Sequence, residues 1–337
     1  RELTRAAMSD LLGGVNPRGH AIADATDAAL LGALAIAGRE DAERWGAERA
    51  RVTFVAMGRY GGRECSYASD ADVIALHEAV GGASDSEAAA SATAIVNRVK
   101  KLLGSATSQL GIVVDLDLRP EGKNGPMSRT IASHEEYAQR WASTWERQAA
   151  VRARPIGDGE LAQAARSLFE SMAYRDVSES EVRDIRLLKA RMENERLPRG
   201  TEPARHVKLG PGGLTDVEWT IQLIQMRHGR EVEALRTSST TDAIAAARDA
   251  GLLEAPDAEI LLNAWDLATR IRAGNTLATG RMSGVKLDVV PRDSAELGAL
   301  AAILGYGSGG LTALEEDWLR AARQARDVME RAFWEQQ

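Results

Sequence analysis

The sequence predicts an α+β protein: a small β-sheet with flanking helices over residues 1–172, followed by an all-helical bundle over residues 173–337. Three observations predict it. Short apolar, partly β-branched runs interrupt the first half between helical stretches. The second half shows helical patterning joined by Pro- and Gly-containing connections, with no strand pattern and no fixed repeat. Alanine and leucine, good helix formers, are abundant throughout. A length of 337 residues suits two domains, and 44% apolar with 27% charged residues is an ordinary globular composition.

Taken in order, residues 1–50 read as helix, with an apolar stretch from Asp24 to Ala37 that Gly38 is expected to stop. Val52–Met57 reads as a buried strand, followed by the loop Gly58-Arg59-Tyr60-Gly61-Gly62, and Val73–Leu76 as a second strand. Gly81-Gly82-Ala83 makes a loop. Ser84 and Glu87 have capping-box spacing, ahead of a helix with Ile95, Val99, Leu102 and Leu103 on one stripe. Residues 111–118 alternate as a third strand: Ile112, Val114, Leu116 and Leu118 face one way, Val113, Asp115 and Asp117 the other. A turn-rich loop spans Pro120 to Gly125. Beyond residue 175, helices are expected at 178–196, 215–228, 240–251, 256–279, 293–304 and 311–334.

Composition excludes several classes. The longest near-apolar run, Ala28–Gly38, has eleven residues against the roughly 20 of a membrane span, so no membrane segment is expected. No basic region followed by an apolar core opens the chain, so no secretion signal is expected. The chain opens on Arg1, which suggests a fragment or a processed chain. One cysteine, Cys65, allows no internal disulfide and fits a reducing, cytoplasmic setting. A net charge of −7 implies no general affinity for nucleic acid. The five histidines have no metal-ligand spacing, so no zinc site is expected, and no base stands beside Cys65 to make it a nucleophile.

The chemistry concentrates at Ser69-Asp70-Ala71-Asp72. On a strand, residues i and i+2 point the same way, so the two carboxylates share a side. Asp115 (or Asp117) comes from another strand, and if the strands are neighbours three carboxylates converge. Such a cluster is unfavourable alone, and Mg²⁺ relieves it. Two such ions serve in-line displacement at phosphorus. Gly61 and Gly62 permit close backbone approach, and their N–H groups with Ser69 would hold phosphates. The loop from Lys208 to Gly213 is not a Walker A loop, because its lysine precedes the glycines. Thr215 and Glu218 have capping-box spacing at the helix behind it. The helix around residues 183–199 carries a run of Arg and Lys, expected as a solvated face laced with acids or as a contact for an acidic partner.

The stretch GRYGGRECSYASDADVIAL (residues 58–76) resembles the pattern of the glutamine synthetase adenylyltransferases, of the nucleotidyltransferase superfamily. So do VVDLDLRPEGKNGPM, WASTWERQAAVRARPIGD and KLGPGGLTDVEWTIQLIQ, in the family's order over about residues 50–230. The resemblance implies a nucleotidyltransferase-type domain with a small mixed sheet. It implies Mg²⁺-dependent transfer of AMP from ATP to a tyrosine of glutamine synthetase, with the PII signal protein and glutamine as effectors. GLTDVEW and TWERQAAVRAR are closer to the family's adenylylating half than to its AMP-removing half. Phosphorolytic removal of AMP, and a non-catalytic nucleotide- or signal-binding module, are the alternatives. On this resemblance Asp70 and Asp72 bind Mg²⁺ and triphosphate. Asp115 is the third metal carboxylate and helps deprotonate the tyrosine. Gly61, Gly62 and Ser69 hold phosphates. Arg119, Arg152 and Arg154 neutralise departing pyrophosphate, or pair with the chain's carboxylates. Lys208, Asp216 and Glu218 reach the nucleotide, or serve a capped helix start. The chain departs from the pattern at Cys65 and at Asp117, where the family carries Leu or Met and Arg; Asp117 would add charge to the site or pair with Arg119.

Overall fold

The computed structural model describes residues 2–13, 19–67, 69–104, 111–307 and 310–335. Residues 14–18 of the expected N-terminal helical stretch, and Ala68 within the carboxylate motif, lie outside them. The chain forms two units. A sheet unit comes from residues 23–65 and 69–175, and a helical unit from Asp176 onward together with the N-terminal residues to Ile22 and the short piece at Ser66 and Tyr67. The N-terminal helix α1 (Glu2–Gly13) therefore belongs with the helical unit and not, as expected, with the sheet. Tyr67, in that same unit, donates its hydroxyl to Asp10 of α1 at 2.5 Å.

The sheet unit runs α2 (Gly19–Trp45), β1 (Ala50–Ala56), α3 (Gly58–Gly61), β2 (Ala71–Ala79), α4 (Asp85–Leu103), β3 (Val114–Asp115), α5 (Ile131–Arg140), α6 (Thr144–Ala150), β4 (Arg154–Pro155) and α7 (Glu160–Ala173). The strand order is β3-β2-β1-β4. β1 is antiparallel to β2, from Ala50 opposite Ala79 to Ala56 opposite Val73, and antiparallel to β4, whereas β3 is parallel to β2. The sheet is therefore mixed. β4 was not expected: two residues, one of them proline, leave no periodic signal, and proline is tolerated because an edge strand can spare an N–H. Every residue of β1 except Arg51 is buried, as continuous apolar runs require. α4 and α7 pack on β1 and β2.

Three local expectations change. Gly38 does not stop α2, which continues to Trp45; its Cβ position is open space, and packing of Ala33, Ala37 and Asp41 carries the helix through it. This 27-residue helix is long and apolar enough to cross a membrane by length and composition, contrary to the sequence expectation. Two of its carboxylates are nevertheless bound within the sheet unit: Asp41 accepts from Ser91 of α4, and Asp27 from Tyr60 of α3. The segment expected as a loop at residues 58–62 forms a helical turn, α3. Only Val114 and Asp115 of the expected third strand pair in the sheet, although burial alternates as predicted: Val114 and Leu116 inside, Val113 and Asp117 outside. The capping box at Ser84 and Glu87 is formed.

The helical unit continues with α8 (Glu179–Glu195), α9 (Leu214–His228), α10 (Thr240–Asp249), α11 (Ala255–Thr279), α12 (Ser294–Ile303) and α13 (Gly310–Met329), which ends in a wider turn, Glu330–Glu335. The starts of these helices fall within a residue or so of those expected. α11 packs against α9, α10, α12 and α13, around a core that includes Trp265, Leu300 and Trp318. The connection before α9 is made of close-packed glycines. A Cβ on Gly210 would lie 2.0 Å from the Pro203 carbonyl oxygen, and one on Gly212, whose φ is +70°, 1.7 Å from that of Ala322 in α13.

Candidate active site

The candidate site is built where β1 ends beside the start of β2. The ladder between them extends past the strand, with Met57 N–H donating to the Asp72 carbonyl at 2.9 Å. The chain then turns through Gly58, at φ +53°, into α3. A Cβ on Gly58 would lie 3.4 Å from Asp72 Oδ2, so the glycine borders the carboxylate. On the other side of β2, Asp72 and Asp115 are register partners in the parallel β2–β3 pair. Register partners on adjacent strands project to the same face, so these two carboxylates are neighbours. Ala71 N–H, donating to the Val113 carbonyl at 2.8 Å, fixes that register. Asp115 Oδ1 also accepts the Asp117 N–H at 2.6 Å.

Asp70, two residues before Asp72, is exposed, and Ser69 is half-buried. Among the described residues no three His, Cys, Asp or Glu side chains form a group able to hold one metal ion. The expected three-way convergence is thus reduced to the Asp72–Asp115 pair with Asp70 at its margin. Asp117 turns to Lys123 at 3.2 Å and Arg119 at 3.9 Å, because the strand ends at Asp115 and a turn redirects the side chains that follow. The donor set fits a hard divalent cation such as Mg²⁺, which takes one or two carboxylates and completes its shell with water and phosphate oxygens.

Other expected residues have commitments of their own. Gly61 N–H donates to Met57 and Gly62 N–H to Gly58, so these two groups are used within the turn and not offered to phosphate. Gly61 is there for space: a Cβ would lie 1.8 Å from the Arg152 carbonyl oxygen. Arg119 donates to the carbonyls of Leu116 at 2.8 Å and Gly125 at 3.3 Å. Arg152 forms a buried ion pair with Glu64 and donates Nε–H to the Gly58 carbonyl at 3.1 Å. Arg154 grips Asp27 through both terminal nitrogens, at 2.8 and 3.0 Å, and donates Nε–H to the Gly61 carbonyl at 3.1 Å. Of the two alternatives for Arg152 and Arg154, the structure displays the carboxylate pairs. Cys65 is buried, and burial pushes its thiol up to about 12, with Arg59 and Arg154 pulling it down and Asp72 and Asp27 pushing it up. It stays a thiol.

In the helical unit, the N-cap of α9 is Gly213, with no side-chain cap, so the box expected from Thr215 and Glu218 does not form. Thr215 Oγ1–H donates instead to the Lys208 carbonyl at 2.9 Å, and Asp216 Oδ2 accepts the Gly212 N–H at 2.7 Å. Asp216 also pairs with Lys189 at 2.5 Å and Arg326 at 3.1 Å, both of which meet Glu193 at 2.7 Å. Its carboxylate is therefore committed inside this unit. Lys189, expected on a solvated face, has a fully buried side chain. Lys208 and Glu218 are half-buried. The sequence reading missed Asp27 and Glu64 as parts of the site. Asp27 is one acid in an apolar helix, with nothing local to pair it to Arg154, whereas Glu64 stood within the quoted pattern without a partner to give it a role.

Two family models match the chain. Residues 1–168, half of the chain, match the family described as Glutamate-ammonia ligase adenylyltransferase. Residues 186–333, within the helical unit, match that described as GlnD PII-uridylyltransferase. The chain is 44% identical over 337 residues to the bifunctional glutamine synthetase adenylyltransferase/adenylyl-removing enzyme of Streptomyces coelicolor, covering 99% of this chain and 32% of that protein. The enzymes of the same name from Cutibacterium acnes and Mycobacterium marinum are 41% and 39% identical, over 100% and 99% of this chain and 33% and 34% of theirs. The chain thus spans about a third of the length of these relatives. With a mixed sheet bearing paired carboxylates at its strand ends, and a match that runs through them, this chain belongs to the glutamine synthetase adenylyltransferase family.

Proposed function

We propose that the chain transfers AMP from ATP to a tyrosine hydroxyl of glutamine synthetase, releasing pyrophosphate and lowering the activity of that enzyme. The observation that carries this reading is the pairing of Asp72 with Asp115 across β2 and β3, against Gly58. Asp72 and Asp115, with Asp70 at their margin, would hold Mg²⁺, which when bound supplies charge to the triphosphate and acidity to the attacking hydroxyl. In this reading Asp115 takes the phenol proton, needed because a free tyrosine hydroxyl has a pKa of about 10. The phenol oxygen forms its bond to the α-phosphorus as the bond from that phosphorus to the bridging oxygen breaks, and the electron pair leaves on pyrophosphate. Ser69 and Arg119 lie on the segments that carry these carboxylates and are the phosphate contacts of this reading. The family match over residues 186–333 supports the PII signal protein as a partner of the helical unit, alongside glutamine as an effector.

Chain incubated with Mg²⁺, glutamine synthetase and ATP labelled on the α-phosphate is expected to label the synthetase. Asp72→Asn and Asp115→Asn should each lower labelling at least about a hundredfold. Release of ADP from adenylylated synthetase and phosphate, without labelling, would assign the chain to the AMP-removing direction instead. Nucleotide binding with neither activity would favour a regulatory module.

A further inference from the structure

Two arginines at the edge of the sheet close on one short segment. Arg152, just before β4, and Arg154, within it, donate to three carbonyls of residues 58–61: Gly58 and Gly61 at 3.1 Å, and Tyr60 at 3.4 Å. Each is held by its own carboxylate. Arg152 and Glu64 are both buried, and Arg154 and Asp27 are 13% and 15% exposed. Tyr60 closes the ring. Its hydroxyl donates to Asp27 Oδ1 at 2.5 Å, and the Arg154 guanidinium lies over its face at 5.4 Å. Burial and the bond to Asp27 push the Tyr60 hydroxyl well above its usual range, so it stays a donor. The clamped segment borders Asp72 at Gly58, and at Gly61 it passes so close to the Arg152 carbonyl that a side chain there would clash.

We propose that Arg152–Glu64 and Arg154–Asp27 are positioning pairs that hold the Gly58–Gly61 turn against Asp72, and that neither arginine is a pyrophosphate ligand. This rests on the adenylyl-transfer reading for its catalytic consequence but not for the clamp. Guanidiniums already engaged by a carboxylate and by main-chain carbonyls have few donors left for phosphate. What they fix is the backbone beside the carboxylate, where a misplacement of about 1 Å can cost a hundredfold in rate.

The test is a double-mutant cycle in the 337-residue chain with Arg154→Ala, Asp27→Ala and the double variant, plus Arg154→Lys as a milder change that keeps the charge. Three quantities are read: amide hydrogen exchange over residues 57–64, binding of Mg²⁺–ATP, and binding of Mg²⁺–pyrophosphate. Positioning predicts that both single variants and the double lose protection over 57–64 alike, while amides of α4 and α7 keep theirs. It predicts a similar loss of ATP affinity, roughly tenfold or more, in all three, with pyrophosphate affinity falling no further than that of ATP. The proposal is overturned if Arg154→Ala and Arg154→Lys abolish pyrophosphate binding while Asp27→Ala preserves it and exchange over 57–64 is unchanged. If the unaltered chain binds neither nucleotide nor pyrophosphate, the transfer reading fails and the exchange data alone decide the clamp.

Discussion

At the scale of single residues, the structure separates groups that do chemistry from groups that make room for it. Gly61 makes room. Placing a methyl 1.8 Å from the Arg152 carbonyl forces the turn or β4 to move, so Gly61→Ala should destabilise the chain by about 1–3 kcal/mol in a urea titration. Cys65, buried and held as a thiol up to about 12, should resist thiol reagents at neutral pH in the folded chain and react at once when unfolded. His134 is 2% exposed beside Phe169, and burial, with Arg129 nearby, lowers its pKa to about 4. Between about 4 and the ordinary 6.5 the unfolded chain binds the proton and the folded chain does not. Its contribution is full above pH 6.5 and is lost as pH falls toward 4. His134→Phe should flatten that part of a stability-against-pH profile. That Asp72 and Asp115 stand on strands was legible from their patterning; that β2 and β3 are neighbours, which brings the two together, was a condition the sequence left open. Asp27 and Glu64 were not, since their partners lie 127 and 88 residues away and ion pairs at that distance leave no periodic trace.

At the scale of elements, local signals held where no tertiary contact competed with them and failed where one did. Ser84–Glu87 forms the capping box its spacing predicts, and Ser178–Glu181, not singled out in the sequence, forms another, because an exposed N-terminal turn has no competitor for its N–H groups. Ser178→Ala should cost about 1 kcal/mol, visible as a shifted denaturation midpoint. The start of α9 carries the same spacing and no box, because Thr215 finds the Lys208 carbonyl and Asp216 takes the Gly212 N–H. Tertiary contacts overrode the local motif there, as they did at Gly38. The basic run of α8 misled in the same way: Lys189 turns inward to Asp216, whose side chain is 1% exposed. Lys189→Ala strips one cation from a buried carboxylate and should destabilise by about 3–5 kcal/mol, a loss that Lys189→Arg should partly restore.

At the scale of the whole molecule, the division into sheet and helices was legible because the two halves differ in hydrophobic period, and the helices of the second half were read almost to the residue. The place of α1 was not. Its sequence says helix, but nothing in twelve residues says which core it joins. That membership makes the helical unit discontinuous, with the sheet unit inserted between its first helix and the rest. The consequence falls on the ribosome. α1 is made before the sheet unit, yet the helical unit it completes awaits α13, roughly 300 residues later, on the order of 15–60 s at bacterial elongation rates. The sheet unit is wholly translated by residue 175 and can close during that interval. Nascent chains arrested near residue 215 should therefore already protect residues 50–156 from protease while α1 is still cut, and an early N-terminal tag should disturb assembly of the helices more than that of the sheet.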